Sequence, residues 1–136
     1  MKASSEPVDT IESGQGANVS EKPSTPLRLY LAGPYWADTV EGIDRNIETA
    51  RTAAAALWDM GHDVFTPHMN TAQFDRMTDV PEERYREFGL WMVQHFDAVV
   101  CLPRWRESKG TLGEIAEAHR LGKTVYYSLE DVPDAS

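Results

Sequence analysis

The chain has 136 residues, of which 41% are apolar and 26% charged, and its 22 acidic against 13 basic side chains give a net charge of −9. That length holds one domain with a real hydrophobic core and is too short for two comfortable ones. Such uniform acidity argues against a nucleic-acid polymer or an anionic membrane surface as a partner, because either would repel the chain.

Residues 1–26 are rich in Ser, Pro, Gly, Glu and Thr and have no apolar period, so they cannot bury enough surface to offset their ordering entropy. A disordered tail is expected there, ending at Pro23 and Pro26, with the folded domain over 27–136. The segment has no apolar core of the signal-peptide kind, and no run of about 18 apolar residues occurs anywhere. A cytoplasmic location is expected.

Leu27 to Ala32 alternates apolar side chains and then meets Gly33-Pro34, which predicts a first strand ending in a tight loop. Leu27, Leu29 and Leu31 point one way, Arg28 and Tyr30 the other. If buried, the Tyr30 hydroxyl needs a partner. Asp38 is the expected cap of a first helix, along which Ile43, Ile47, Ala50, Ala54 and Leu57 recur at helical spacing until Gly61.

His62 to Thr66 reads as a short second strand. Residues 67–80 read as a long polar loop carrying His68, Asn70, Gln73 and Asp75, and a loop of that length in a small domain is often functional. Asp79-Val80-Pro81-Glu82 opens a second helix. Tyr85, Phe88, Met92 and Phe96 are its expected buried stripe. Trp91 falls off that stripe, and a homodimer or higher homo-oligomer is expected through it.

Asp97 to Leu102 is a continuous apolar run, as in a strand covered on both faces. It holds the chain's one cysteine, Cys101, which rules out an internal disulfide and reads as an inert buried thiol. A loop from Pro103, a third helix through Leu121 and a last strand over Lys123–Tyr127 complete the order β-α-β-α-β-α-β. The expected fold is α/β: a single Rossmann/flavodoxin-like domain with a four- to five-stranded parallel sheet and helices on both faces.

Loops at the carboxyl ends of such strands gather at one edge, where ligands bind. In the third of them, Arg104, Arg106 and Lys109 put three cations within six residues. Ser108 and Gly110 add a hydroxyl and an accessible backbone at a helix start. That combination suits an anion such as phosphate, and a solvated charged turn is the rival reading. Thr111-Leu112-Gly113-Glu114 fits a capping box, with the acid satisfying an orphan amide. Glu114 also fits a nucleophile, since a helix N-terminus favours the charged form and an ionised carboxylate can attack a sugar carbon. In the first loop, Tyr35 and Trp36 either stack on a planar base or cover the sheet edge. None of the four histidines is paired at metal-ligand spacing, so neither a metal nor another cofactor is expected.

With those residues in view, positions 28–128 resemble the nucleoside 2-deoxyribosyltransferase-like superfamily, which includes deoxyribosyltransferases and nucleoside 5′-monophosphate N-glycosidases. Tyr30-Leu31-Ala32-Gly33-Pro34, Asp97-Ala98-Val99-Val100 and Ser108 through Glu114 carry the resemblance. It implies that Glu114 attacks C1′ and that the Tyr30 hydroxyl holds and tunes that carboxylate. It further implies that Ser108 binds a 5′-phosphate, with Arg104 and Lys109 nearby, and that Gly33 and Gly110 lend backbone amides to the substrate. Gly33, Pro34, Tyr35, Trp36, Asn70, Arg104, Ser108, Lys109 and Gly110 are the expected substrate-binding positions. The transferases carry an acid after the second strand that protonates the departing base. Here that region reads Pro67-His68-Met69-Asn70, with no carboxylate until Asp75, and His68, Asn70 or Asp75 would have to take its place. The expected activity is N-glycosidic cleavage or transfer on a (deoxy)nucleoside 5′-monophosphate, the small-molecule partner. The rivals are a catalytically silent nucleotide-binding module of the same fold and a plain interaction domain contacting partners through Trp91 and Trp105.

Overall fold

A computed structural model of the chain describes residues 25–136. The tail expected over 1–26 lies outside the described residues, save for its last two.

The architecture is α/β, with an all-parallel sheet of four strands in the order β2-β1-β3-β4. Strand β1 is Arg28–Ala32, β2 Asp63–Phe65, β3 Ala98–Cys101 and β4 Thr124–Tyr126. This is the flavodoxin-like order without its fifth strand. The chain leaves β1 toward β2 on one side and returns to β3 on the other, so the switch point falls between β1 and β3. Register across that pair aligns Tyr30 with Val99 and Ala32 with Cys101.

Both faces are covered, which is why β1 and β3 are buried almost throughout. Helix α1 (Val40–Asp59) lays Ala50, Ala53, Ala54 and Leu57 against Leu29, Leu31, Ala98 and Val100. On the opposite face, α3 (Glu82–Val93) and α4 (Lys109–Arg120) bring Val93, Ile115 and Ala118 onto Tyr30, Ala32, Val99 and Cys101. No helix among the described residues is long and apolar enough to cross a membrane.

Three local expectations are corrected. Thr39, not Asp38, caps α1: its backbone is extended and its Oγ1 accepts the Gly42 amide at 3.0 Å. The stretch 67–80 is not plain loop, for Pro67 opens a one-turn helix, α2 (Pro67–Asn70), and a 3-10 turn follows at Phe74–Arg76. Phe88 is not in the buried stripe of α3; it is exposed and stacks on exposed Trp91, while Gly89 and Val93 face inward. The stripe is rotated because the space opposite residue 89 is filled by polar groups from β1 and α4. Trp105, offered as a partner contact, is half-buried against Tyr127.

The C-terminal residues return to the core. Val132 is buried beside Leu57, and the Ala135 amide donates to Met60 O at 2.8 Å. His62, wholly buried, fastens this return: Nδ1 accepts the Leu27 amide at 3.0 Å, so Nε2 carries the proton and donates to Pro133 O at 2.6 Å. Gly61 makes room, with φ of 95° and the backbone of Ala135 only 2.8 Å from where a Cβ would stand.

Candidate functional site

Helix α4 begins earlier than the capping-box reading places it. A 3-10 turn at Trp105–Glu107 delivers Ser108 in extended conformation, and Ser108 is the N-cap. Its Oγ accepts the Thr111 amide at 3.2 Å and the Thr111 hydroxyl at 2.9 Å. Among the described residues nothing accepts the Ser108 hydroxyl proton, which leaves it available to a ligand at the helix mouth. Glu114 is therefore in the second turn and caps nothing.

It stands instead on the inward stripe of α4, formed by Thr111, Glu114, Ile115 and Ala118. Spacings of three, one and three place these side chains on one face. Glu114 is 9% exposed, and Oε2 accepts the hydroxyl of Tyr30 at 2.7 Å. Tyr30 is fully buried, its ring held by Phe65 at 5.9 Å and Phe96 at 5.6 Å. Among the described residues the carboxyl makes no other hydrogen bond and no ion pair.

The electrostatics follow from that isolation. Burial pushes the Glu114 carboxyl up to about 7, and the Tyr30 hydrogen bond offsets only part of the rise. The expectation that a helix end keeps Glu114 ionised is thus corrected: a second-turn carboxyl in the core feels desolvation more than the dipole. Burial and the neighbouring carboxylate both push the Tyr30 phenol up, so it remains a donor. Cys101, also next to this carboxyl, is pushed up to about 12 and is an inert thiol.

The other expected site residues form a second group at the sheet edge. His68 is buried; Nε2 donates to Pro34 O at 2.8 Å, and Nδ1 accepts from Thr66 Oγ1 at 3.1 Å. Burial lowers its basicity, and the neutral ring straps the loop after β2 to the loop after β1. The Tyr35 hydroxyl donates to Asp75 Oδ1 and accepts the Gln73 amide at 3.0 Å, so the Tyr35 phenol is pushed up to about 12, chiefly by burial. Arg76 completes the clasp on Asp44 of α1 at 2.6 Å. Trp36 is 66% exposed and Asn70 is exposed. Gly33 is explained by packing, because a Cβ there would lie 2.6 Å from Leu102 Cβ.

The three expected cations are dispersed. Arg104 pairs with Glu107 at 3.2 Å, and Arg106 lies over the Trp105 ring at 4.3 Å. Lys109 is exposed at the first position of α4. A cation that the sequence pattern did not single out is Arg86 of α3, whose stem would lie 3.8 Å from a Cβ on Gly110. Its guanidinium pairs with Glu82 at 3.0 Å. Gly89 was likewise missed; a glycine in register with Val93 on an amphipathic helix is the signal that marks it.

Fold and site together define a small parallel α/β domain with a buried, tyrosine-bonded carboxyl on the sheet face near its switch point. Residues 27–127 match the family described as a domain of unknown function (DUF4406), and the chain belongs to that family. No curated protein matches it.

Proposed function

We propose that the protein cleaves or transfers the N-glycosidic bond of a (deoxy)nucleoside 5′-monophosphate through a covalent glycosyl-Glu114 intermediate. The observation that carries this reading is the buried Glu114 carboxyl with Tyr30 as its one hydrogen-bond donor and no cation paired with it among the described residues. The Tyr30 hydroxyl needs an acceptor but not an ionisable one, and a buried acid in that place costs the fold stability, as reacting carboxylates do. The resemblance of Tyr30–Pro34 and Ser108–Glu114 to the deoxyribosyltransferase-like proteins supports the substrate class.

In this mechanism a Glu114 oxygen bonds to C1′ as the C1′–N bond breaks and its electron pair leaves with the base, which takes up a proton from water. Water, or a second base, then displaces the carboxylate and gives up its own proton. Two displacements retain configuration, through transition states with oxocarbenium character. Ser108 and the amide end of α4 would receive the phosphate.

The test is a panel of nucleosides and nucleotides assayed for free base by chromatography. Base from at least one 5′-monophosphate, and far less from the matching nucleoside, is expected. Release of no base from any of them, or equal release by Glu114→Ala, would sink the reading. Ser108→Ala should lower stability by about 1 kcal/mol through loss of the cap. It should also raise KM for the monophosphate about tenfold while leaving the nucleoside unaffected. Urea unfolding and steady-state kinetics check the two effects.

One observation favours the silent binding module instead: His68 and Asp75, the candidate proton donors, are already engaged with Pro34, Thr66 and Tyr35. Calorimetric nucleotide binding without base release would select it. The exposed Phe88–Trp91 pair supports self-association through α3, which a monomeric sedimentation mass would exclude.

A further inference from the structure

Gly89 lies in the middle of α3, where alanine would serve a helix better because glycine loses more backbone freedom on folding. Its surroundings account for the exception. A Cβ on this residue would stand 2.5 Å from Glu114 Oε2, 2.9 Å from the Tyr30 hydroxyl and 3.6 Å from Glu114 Cδ. The Tyr30 hydroxyl has no room to retreat, since Tyr30 is fully buried between Phe65 and Phe96. The neighbouring glycines of α4 differ: at Gly110 and Gly113 a Cβ would meet nothing closer than 3.8 Å and 3.9 Å respectively. Of these three glycines, the tight constraint falls on the one that faces the carboxyl.

We infer that Gly89 is a positioning residue, whose missing side chain lets the backbone of α3 close over Glu114 Oε2 and the Tyr30 hydroxyl and leaves Oε1 as the oxygen presented to a ligand. The inference rests on the reading of Glu114 as the reacting carboxylate and assigns which of its oxygens reacts. Oε2 is enclosed by the Tyr30 hydroxyl and by the helix backbone. Oε1 has no hydrogen-bond partner among the described residues. A carboxyl held by one oxygen is fixed in orientation while the other keeps its lone pairs for C1′. The groups packed around it are Tyr30 from β1, Cys101 from β3 and Gly89 from α3, and of these Tyr30 and Cys101 are titratable. Their own titrations lie well above that of the carboxyl, so both stay protonated while it ionises, and burial is what raises it.

The test follows the carboxyl directly, without substrate. In protein labelled with carboxyl-¹³C glutamate, one resonance, absent from Glu114→Gln, should titrate near pH 7. In Gly89→Ala the methyl displaces the carboxyl from its wall toward water, and that midpoint should fall by about one pH unit or more. An unchanged midpoint would overturn the inference. Gly89→Ala is then placed in a Glu114→Ala/Tyr30→Phe background, which removes both atoms the methyl would meet. There it should shift the melting temperature by no more than about 3 °C, having lowered it by more in the parent. Equal damage in both backgrounds would show that α3 needs glycine for another contact and would overturn the assignment. Absence of base release by the parent protein would defeat the proposed activity and leave both of these readouts to be decided on their own.

Discussion

Glu114→Gln is expected to lower base release by about three orders of magnitude or more while raising the stability of the fold at pH 8. The first effect follows from chemistry, because an amide oxygen is a poor nucleophile and a poor leaving group. The second follows from the titration. The folded-state carboxyl titrates near 7 and an unfolded one near 4.5, so between those values the folded chain binds more protons. Stability therefore falls as pH rises through that window. The cost is absent below about pH 4.5 and complete above about pH 7, where it amounts to roughly 3 kcal/mol. Glutamine removes the charge and keeps the shape, so the gain should be about 1–3 kcal/mol at pH 8 and near zero at pH 4. Urea unfolding of both proteins at the two pH values checks it. A variant less stable than the parent at pH 8 would mean that the carboxylate contributes to the fold.

Tyr30→Phe acts on the same pair from the other side. The hydroxyl is the one donor to Glu114 among the described residues, and its hydrogen bond draws the carboxyl down against the rise caused by burial. Its loss should therefore push the Glu114 titration higher still. The rising limb of the pH–rate profile, centred near 7 in the parent, should move to higher pH. At pH 7 the rate should drop about 10- to 100-fold, part of which is recovered by raising the pH. Stability should fall by about 1–3 kcal/mol, because a buried acceptor loses its partner. A pH–rate limb that stays in place would separate Tyr30 from the ionisation of Glu114.

Much of the fold was legible because it depends on local pattern. The alternation of Leu27 to Ala32 assigns Leu29 and Leu31 to one face and Tyr30 to the other, and the uninterrupted run at Ala98–Cys101 marks a strand buried on both sides. What escaped local pattern depends on contacts between distant segments. The pairing of Tyr30 with Glu114 came from the family resemblance and not from periodicity, for the two are 84 residues apart and meet because β1 and α4 share one face of the sheet. Glu114 was assigned to the first helical turn because Thr111 imitates a cap; the 3-10 turn at Trp105–Glu107 puts Ser108 there instead. Counting Thr111, Ile115 and Ala118 as a stripe would have placed Glu114 on the buried face. Phe88 was assigned inward on hydrophobicity, and Gly89 displaced it because only a residue without a side chain fits against the carboxyl. The His68 strap was hidden for the same reason: its partner, Pro34 O, belongs to a loop 34 residues away.

The covalent role of Glu114 is the central claim, and peptide mass spectrometry tests it most directly. The protein is incubated with a nucleoside 5′-monophosphate carrying a 2′-fluorine that slows resolution, then quenched in acid and digested. The account predicts a mass increase equal to the sugar phosphate, without the base, on the peptide containing Glu114 and none in Glu114→Gln. Base release with the adduct on another residue, or undiminished base release by Glu114→Gln, would contradict it.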